Sequence, residues 1–249
     1  MSDPASREER ESLPLTAERP APLDGGATYS ALIFDLDGTL INSAPDIAAS
    51  VNRYFAAQGW PQLETDYVEG FIGNGPRRLL LDMMLDLGLP SDDETVAAAV
   101  DGYIRHYTER PADLTRFYDH VREDLVALRA AGFRLGICTN KPHALTQSIL
   151  AILGLDTLFD VALGADAVPA CKPDPRHLIA VAEAMGLEDG SWAYVGDTGV
   201  DQRTAAAAGV PFFVVPWGGG ALVGVSASQR LTRLRDLMQH GPRIAAAGE

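Results

Sequence analysis

The 249 residues carry 34 acidic against 20 basic side chains, a formal charge of −14, and 47% of them are apolar. That length and apolar content suffice for a substantial core. The acidity argues against a nucleic-acid partner, which calls for clustered Lys and Arg, and no run of about 18 apolar residues is present to span a bilayer.

Residues 1–26 are rich in Glu, Arg, Pro and Ser and lack the apolar stretch of a secretory signal, so residues 1–27 read as a disordered tail and the protein as cytoplasmic. Cys138 and Cys171 are too few for a disulfide framework. The five His show no zinc-ligand spacing.

Residues 29–36 (YSALIFDL) form a short apolar run with an acidic end, the pattern of a buried parallel strand that delivers polar groups at its tip. Segments 133–139, 161–164, 192–196 and 212–215 repeat it. Helical stretches at 121–131, 144–153, 175–185 and 198–208 lie between them. The alternation predicts an α/β fold with a doubly wound parallel-sheet (Rossmann-like) core, whose ligands gather beyond the carboxyl ends of the strands.

One region breaks the alternation. Between Ala44 and Arg116 the sequence reads as successive helices, at 45–58, 76–87 and 92–107, punctuated by Gly59-Trp60-Pro61, Gly73-Asn74-Gly75 and Leu89-Pro90. The expected plan is a core of 28–43 and 117–240, an inserted all-helical cap at 44–116, and a C-terminal tail at 241–249.

Asp35 and Asp37 leave the first strand at its ligand-binding edge, with Gly38 permitting a sharp turn. Two carboxylates so placed suit a hard cation, or a nucleophile paired with an acid/base; alone, they also fit a solvated turn. Three further elements follow later strands: Thr139-Asn140, Lys172-Pro173, and the run from Gly196 through Asp197 to Asp201. In a parallel sheet all converge on one rim. A hydroxyl, a lone cation and a second pair of carboxylates are what metal-assisted phosphoryl transfer needs.

With these four motifs in this order, the chain resembles the haloacid dehalogenase-like hydrolase superfamily from about Tyr29 to Gly218. The resemblance implies Asp35 as nucleophile, Asp37 as acid/base, Thr139 and Lys172 as phosphate-holding catalytic residues, and Asp197 and Asp201 as the acidic metal motif. It also implies Mg²⁺ on Asp35, the Asp37 carbonyl and Asp197, with Asp201 one shell further out. DLDGTLINSAPDIAASVN, FIGNG, TNKP and CKPDP are similar to the phosphoglycolate phosphatase subgroup, which usually carries Asp where this chain has Asn42. That likeness implies hydrolysis of 2-phosphoglycolate. A monomer or homodimer is expected, and the charge and the lack of an apolar span leave no nucleic-acid or membrane partner expected. A sugar phosphate, nucleotide or pyrophosphate, or a sugar phosphomutase reaction, stays open.

Substrate-binding candidates are Thr139, Lys172, Asn140 and the loop of Gly73 and Asn74, which runs into a helix start at Pro76 where N–H groups are open to an anion. Asn140 reads either as orienting the Asp35 region or as a cap on the next helix. Arg77 heads the apolar stripe of Leu80 and Met84. There it either meets a substrate carboxylate or covers apolar surface with its head in water. The run Trp217-Gly218-Gly219-Gly220 reads as a flexible connection.

Overall fold

The computed structural model describes residues 28–188 and 190–241, so the expected tail at 1–27, and that at 241–249 apart from Gly241, lie outside the described residues. Five parallel strands, β1 (Ala31–Phe34), β4 (Arg134–Cys138), β5 (Val161–Leu163), β6 (Trp192–Gly196) and β7 (Phe212–Val214), stand in the order β5-β4-β1-β6-β7. Apart from the exposed Arg134 at the start of β4, their residues are buried or half-buried because helices cover both faces. Alternation along β1 divides the core in two. Leu32 and Phe34 join the cluster that includes Leu125, Leu135 and Val195, while Ala31 and Ile33 join the one with Leu178, Val181 and Tyr194.

The helices α5 (Val121–Ala130), α6 (His143–Ile152), α7 (Pro175–Ala184) and α8 (Gly199–Ala208) occupy the segments where helical spacing places them. Local chemistry sets their ends. Asp174 caps α7 by accepting from Arg176 N–H at 2.9 Å, with Pro175 at the first position, and Gly209 closes α8 at φ 70°. Gly136 in β4 lets α7 approach closely, since a Cβ there would lie 2.5 Å from Met185 Sδ.

Beyond β1 the chain passes through β2 (Ile41–Asn42) into α1 (Ala44–Gln58), α2 (Thr65–Glu69), α3 (Pro76–Asp86) and α4 (Asp93–Glu109), and returns through β3 (Arg116–Phe117), which pairs antiparallel with β2. The short α2 and the β2–β3 ribbon were not expected, because segments of two to five residues show no usable periodicity. Asn42 turns its Oδ1 to the N–H of Ala44 at 3.2 Å, next to the α1 start. Buried Asp46 in α1 accepts from the N–H groups of Leu114 and Thr115 and from the Thr115 hydroxyl, at 2.6 to 3.0 Å, and so ties the outgoing and returning segments together. An apolar cluster continues from the sheet into these helices through Val51, Phe55, Leu80 and Met83. No helix among the described residues is long and apolar enough to cross a membrane.

Candidate active site

Strand register explains why the chemistry-bearing residues meet. Phe34 aligns with Ile137 of β4 and Val195 of β6, so the next residues, Asp35, Cys138 and Gly196, stand level, with Thr139 and Asp197 one step beyond. Asp35 N–H still donates to Val195 O at 2.9 Å, and Thr139 N–H to Leu163 O at 3.2 Å. The ladder therefore holds these backbones rigidly at the rim. The chain fills one side of the sheet through β4 and β5 and returns to β6 on the other, which makes the rim beside β1 the switch point where α/β folds bind ligands.

Lys172 enters from the loop after β5. Its buried Nζ lies 2.9 Å from Asp35 Oδ1, 2.7 Å from Asp201 Oδ1 and 3.0 Å from the Tyr194 hydroxyl. Burial acts to lower the ammonium's pKa, but Asp201 and Asp35 outweigh it and hold the group charged, above the usual Lys range. Asp201 is bound on both oxygens: Oδ1 accepts from Lys172 and Tyr194, Oδ2 from the Thr198 hydroxyl at 2.6 Å and from the N–H groups of Thr198 and Asp197. It closes a capping box at the start of α8. Burial pushes the Asp201 carboxyl up, yet Lys172 and these hydrogen bonds leave it below the ordinary carboxylate range.

Asp35 is the counterpart. Burial pushes its carboxyl up to about 7 against the pull of Lys172. Its Oδ1 accepts from Leu36 N–H at 2.7 Å, while Oδ2 takes no hydrogen bond among the described residues. Asp197 is equally buried but has no cation beside it among the described residues, where its partners are the Thr39 hydroxyl at 2.7 Å and Gly219 N–H at 2.9 Å. Burial, then Asp201 and Asp35, hold its carboxyl well above the usual range.

The carboxylates of Asp35, Asp197 and Asp201 lie within 4.8 Å of one another. With Asp201 already saturated by donors, Asp35 and Asp197 are the pair with oxygens to spare. Such a buried pair, short of positive charge, fits a hard divalent cation. Glycines make the room. Gly38 (φ 83°) and Gly218 (φ 54°) both back onto Asp197, and a Cβ on either would collide with its carboxylate. Gly218-Gly219 is thus part of the wall that holds Asp197, rather than the flexible connection expected from composition.

Asn140 does not cap the next helix. Its Nδ2 donates to Gly73 O and to Lys172 O, both at 3.0 Å, and its Oδ1 accepts from Lys172 N–H at 3.0 Å. It therefore joins the loop before α3 to the loop that carries Lys172. Thr139 lines a small cavity between rim and helices with Asp35, Asp37 and Gly73. Asn74, exposed, lines the larger cleft that adjoins it. Arg77 is not brought to either: its guanidinium turns outward to Asp93 at 2.6 Å and is 56% exposed, because a solvated partner within reach costs less than desolvating the head.

A cation that sequence reasoning passed over occupies the cavity instead. Lys141, two residues beyond Thr139, is buried, with Nζ 3.0 Å from Asp37 Oδ1 and 2.8 Å from the Tyr107 hydroxyl of α4, 4.4 Å from that ring's centre. Asp37 Oδ1 also accepts from the Ser43 hydroxyl. The sequence signals for Lys141 were its place in the TNKP stretch and, within it, two residues beyond a strand-end Thr.

The chain belongs to the haloacid dehalogenase-like hydrolase family, which it matches over residues 32–215. Hydrolases of this family generally use a divalent metal, and the buried acidic cluster suits one. A phosphoglycolate phosphatase of Cereibacter sphaeroides (strain ATCC 17029 / ATH 2.4.9) is 42% identical over 181 residues, 73% of this chain and 82% of that protein. One of Caulobacter vibrioides is 38% identical over 193 residues, 78% of this chain and 80% of that protein. The crystal structure of a predicted phosphoglycolate phosphatase from Haemophilus somnus 129pt superposes with a TM-score of 0.76 at 29% identity, covering 86% of this chain and 99% of that one.

Proposed function

We propose that this protein is a Mg²⁺-dependent phosphatase that hydrolyses 2-phosphoglycolate to glycolate and phosphate through an aspartyl phosphate on Asp35. The observation that carries the reading is the pairing at the rim: a buried carboxylate held on one oxygen by Lys172, with a second carboxylate, Asp37, two residues on and facing the same cavity. The relatives named phosphoglycolate phosphatase support the choice of substrate.

An Asp35 oxygen attacks phosphorus as the bond to the leaving alkoxide breaks, and Asp37 supplies the alkoxide with a proton. Asp37 then takes a proton from the water that opens the acyl phosphate, which returns Asp35 as a carboxylate. Lys172 and the Thr139 hydroxyl hold phosphoryl oxygens through both steps. Asp35, the Asp37 carbonyl and Asp197 would hold Mg²⁺, which supplies the positive charge that lets a phosphate dianion approach these acids. The helices α1–α4 act as a cap that excludes water from the acyl phosphate.

Phosphate release from 2-phosphoglycolate, measured with Mg²⁺, after chelation and after Mg²⁺ is restored, tests the proposal. Activity should vanish and return. Asp35→Asn should fall to background with the fold intact, since an amide is a far poorer nucleophile. An isomerised sugar phosphate in place of free phosphate would identify a mutase.

A further inference from the structure

The cavity between rim and helices contains Asp35 and Asp37 at one wall, and Lys141 supplies the positive charge on its lining. Lys141 springs from the sheet side, but its ammonium is aimed by α4: Tyr107 accepts one hydrogen at 2.8 Å, Asp37 pairs with it at 3.0 Å, and the third hydrogen has no partner among the described residues. Beside it Tyr103, one helical turn before Tyr107, also lines the cavity. Its hydroxyl, kept neutral by burial, has no hydrogen-bond partner among the described residues. A buried ammonium and a buried phenol, each with a donor to spare, form the recognition chemistry of a small anion.

We propose that Lys141, aimed by Tyr107 and assisted by the Tyr103 hydroxyl, reads the carboxylate of the substrate and restricts the enzyme to phosphate esters of 2-hydroxy acids. The inference rests on the phosphatase reading above. The spacing follows from the ester itself: Asp37 protonates the ester oxygen, and in a 2-hydroxy acid the carboxylate is one carbon away from that oxygen. A cation in contact with Asp37 is therefore in reach of the carboxylate at the same moment. In an acid one methylene longer the carboxylate no longer lies one carbon from the ester oxygen, and the lining offers it apolar groups such as Ile47 and Leu79 in place of a second cation.

The test compares 2-phosphoglycolate with ethyl phosphate, which lacks the carboxylate, and with 3-phosphooxypropanoate, which is longer by one methylene. Wild-type protein should prefer the first over both. In Lys141→Met the ratio of kcat/KM for 2-phosphoglycolate to that for ethyl phosphate should fall about 10- to 150-fold, the loss of one charge-assisted contact. A Lys141 that only tunes Asp37 would slow both esters in proportion and shift the pH–rate profile. An unchanged ratio overturns the inference. Tyr103→Phe removes a single hydroxyl and keeps the packed ring, so it decides the matter should Lys141→Met not fold: a ratio lowered about 3- to 10-fold supports the inference, and an unchanged one overturns it. Wild-type protein that hydrolyses ethyl phosphate as well as 2-phosphoglycolate overturns the inference alone. Protein inert toward all three and toward p-nitrophenyl phosphate overturns the phosphatase reading with it.

Discussion

The sheet rim and the helical segment above it treat charge in opposite ways. At the rim Asp35, Asp197, Asp201 and Lys172 are all buried and locked to one another or to backbone N–H groups. In the helices the ion pairs Arg53–Glu109, Arg77–Asp93 and Arg78–Asp82 lie in solvent, where each contributes little. The polar groups of that segment that reach toward the rim include the Gly73 carbonyl and the phenols of Tyr103 and Tyr107. The contrast separates two parts of the cavity. Strand ends in a hydrogen-bonded sheet hold the charged groups in fixed positions, and the helical segment contributes most of the apolar lining opposite them.

Substitutions at the rim should therefore act on every substrate. The largest expected effect beyond the nucleophile is Asp37→Asn, which should slow an alkyl phosphate by roughly 10²–10⁴-fold and p-nitrophenyl phosphate by less, because that leaving group needs little protonation. Equal losses on the two esters would remove Asp37 from the acid/base role and blur the division of labour.

Acid sensitivity should also belong to the rim. His177 in α7 is fully buried, with Nε2 3.3 Å from Leu163 O and no partner on Nδ1 among the described residues. Burial, then the Lys172 charge, lowers its pKa to about 4. The unfolded chain binds that proton near pH 6.5, the folded one not until about pH 4. The stability from a neutral His177 is thus complete above pH 6.5 and is lost as pH falls toward 4, by about 2–3 kcal/mol. His177→Leu should flatten the dependence of Tm on pH across that window. An unaltered slope would place the acid sensitivity elsewhere.

The smallest effect is expected in the helices. Arg77→Ala should change kcat/KM for 2-phosphoglycolate by less than about 3-fold, since its partner is the exposed Asp93 and an exposed pair contributes at most ~1 kcal/mol. A loss as large as that of Lys141→Met would mean that Arg77 turns inward when substrate binds.

By itself the sequence determined the parallel-sheet architecture and the convergence of Asp35, Asp37, Thr139, Lys172 and Asp197 on one rim. Those follow from short-range pattern: a buried strand must end in polar groups where the sheet meets a ligand, and consecutive parallel strands end on the same side. Tertiary structure alone decided the rest. Lys141 gains its meaning from Tyr107, 34 positions earlier in the chain. Asn140 bridges Gly73 and Lys172, and Gly218-Gly219 packs on Asp197, through contacts that no local spacing reports. Helical periodicity put Arg77 on the apolar stripe, but a long side chain swings clear of its Cα position, and the Asp93 carboxylate on the neighbouring helix drew it into solvent. Pattern fixes where a side chain starts; which partner it meets depends on how helices from distant parts of the chain come to lie against the sheet.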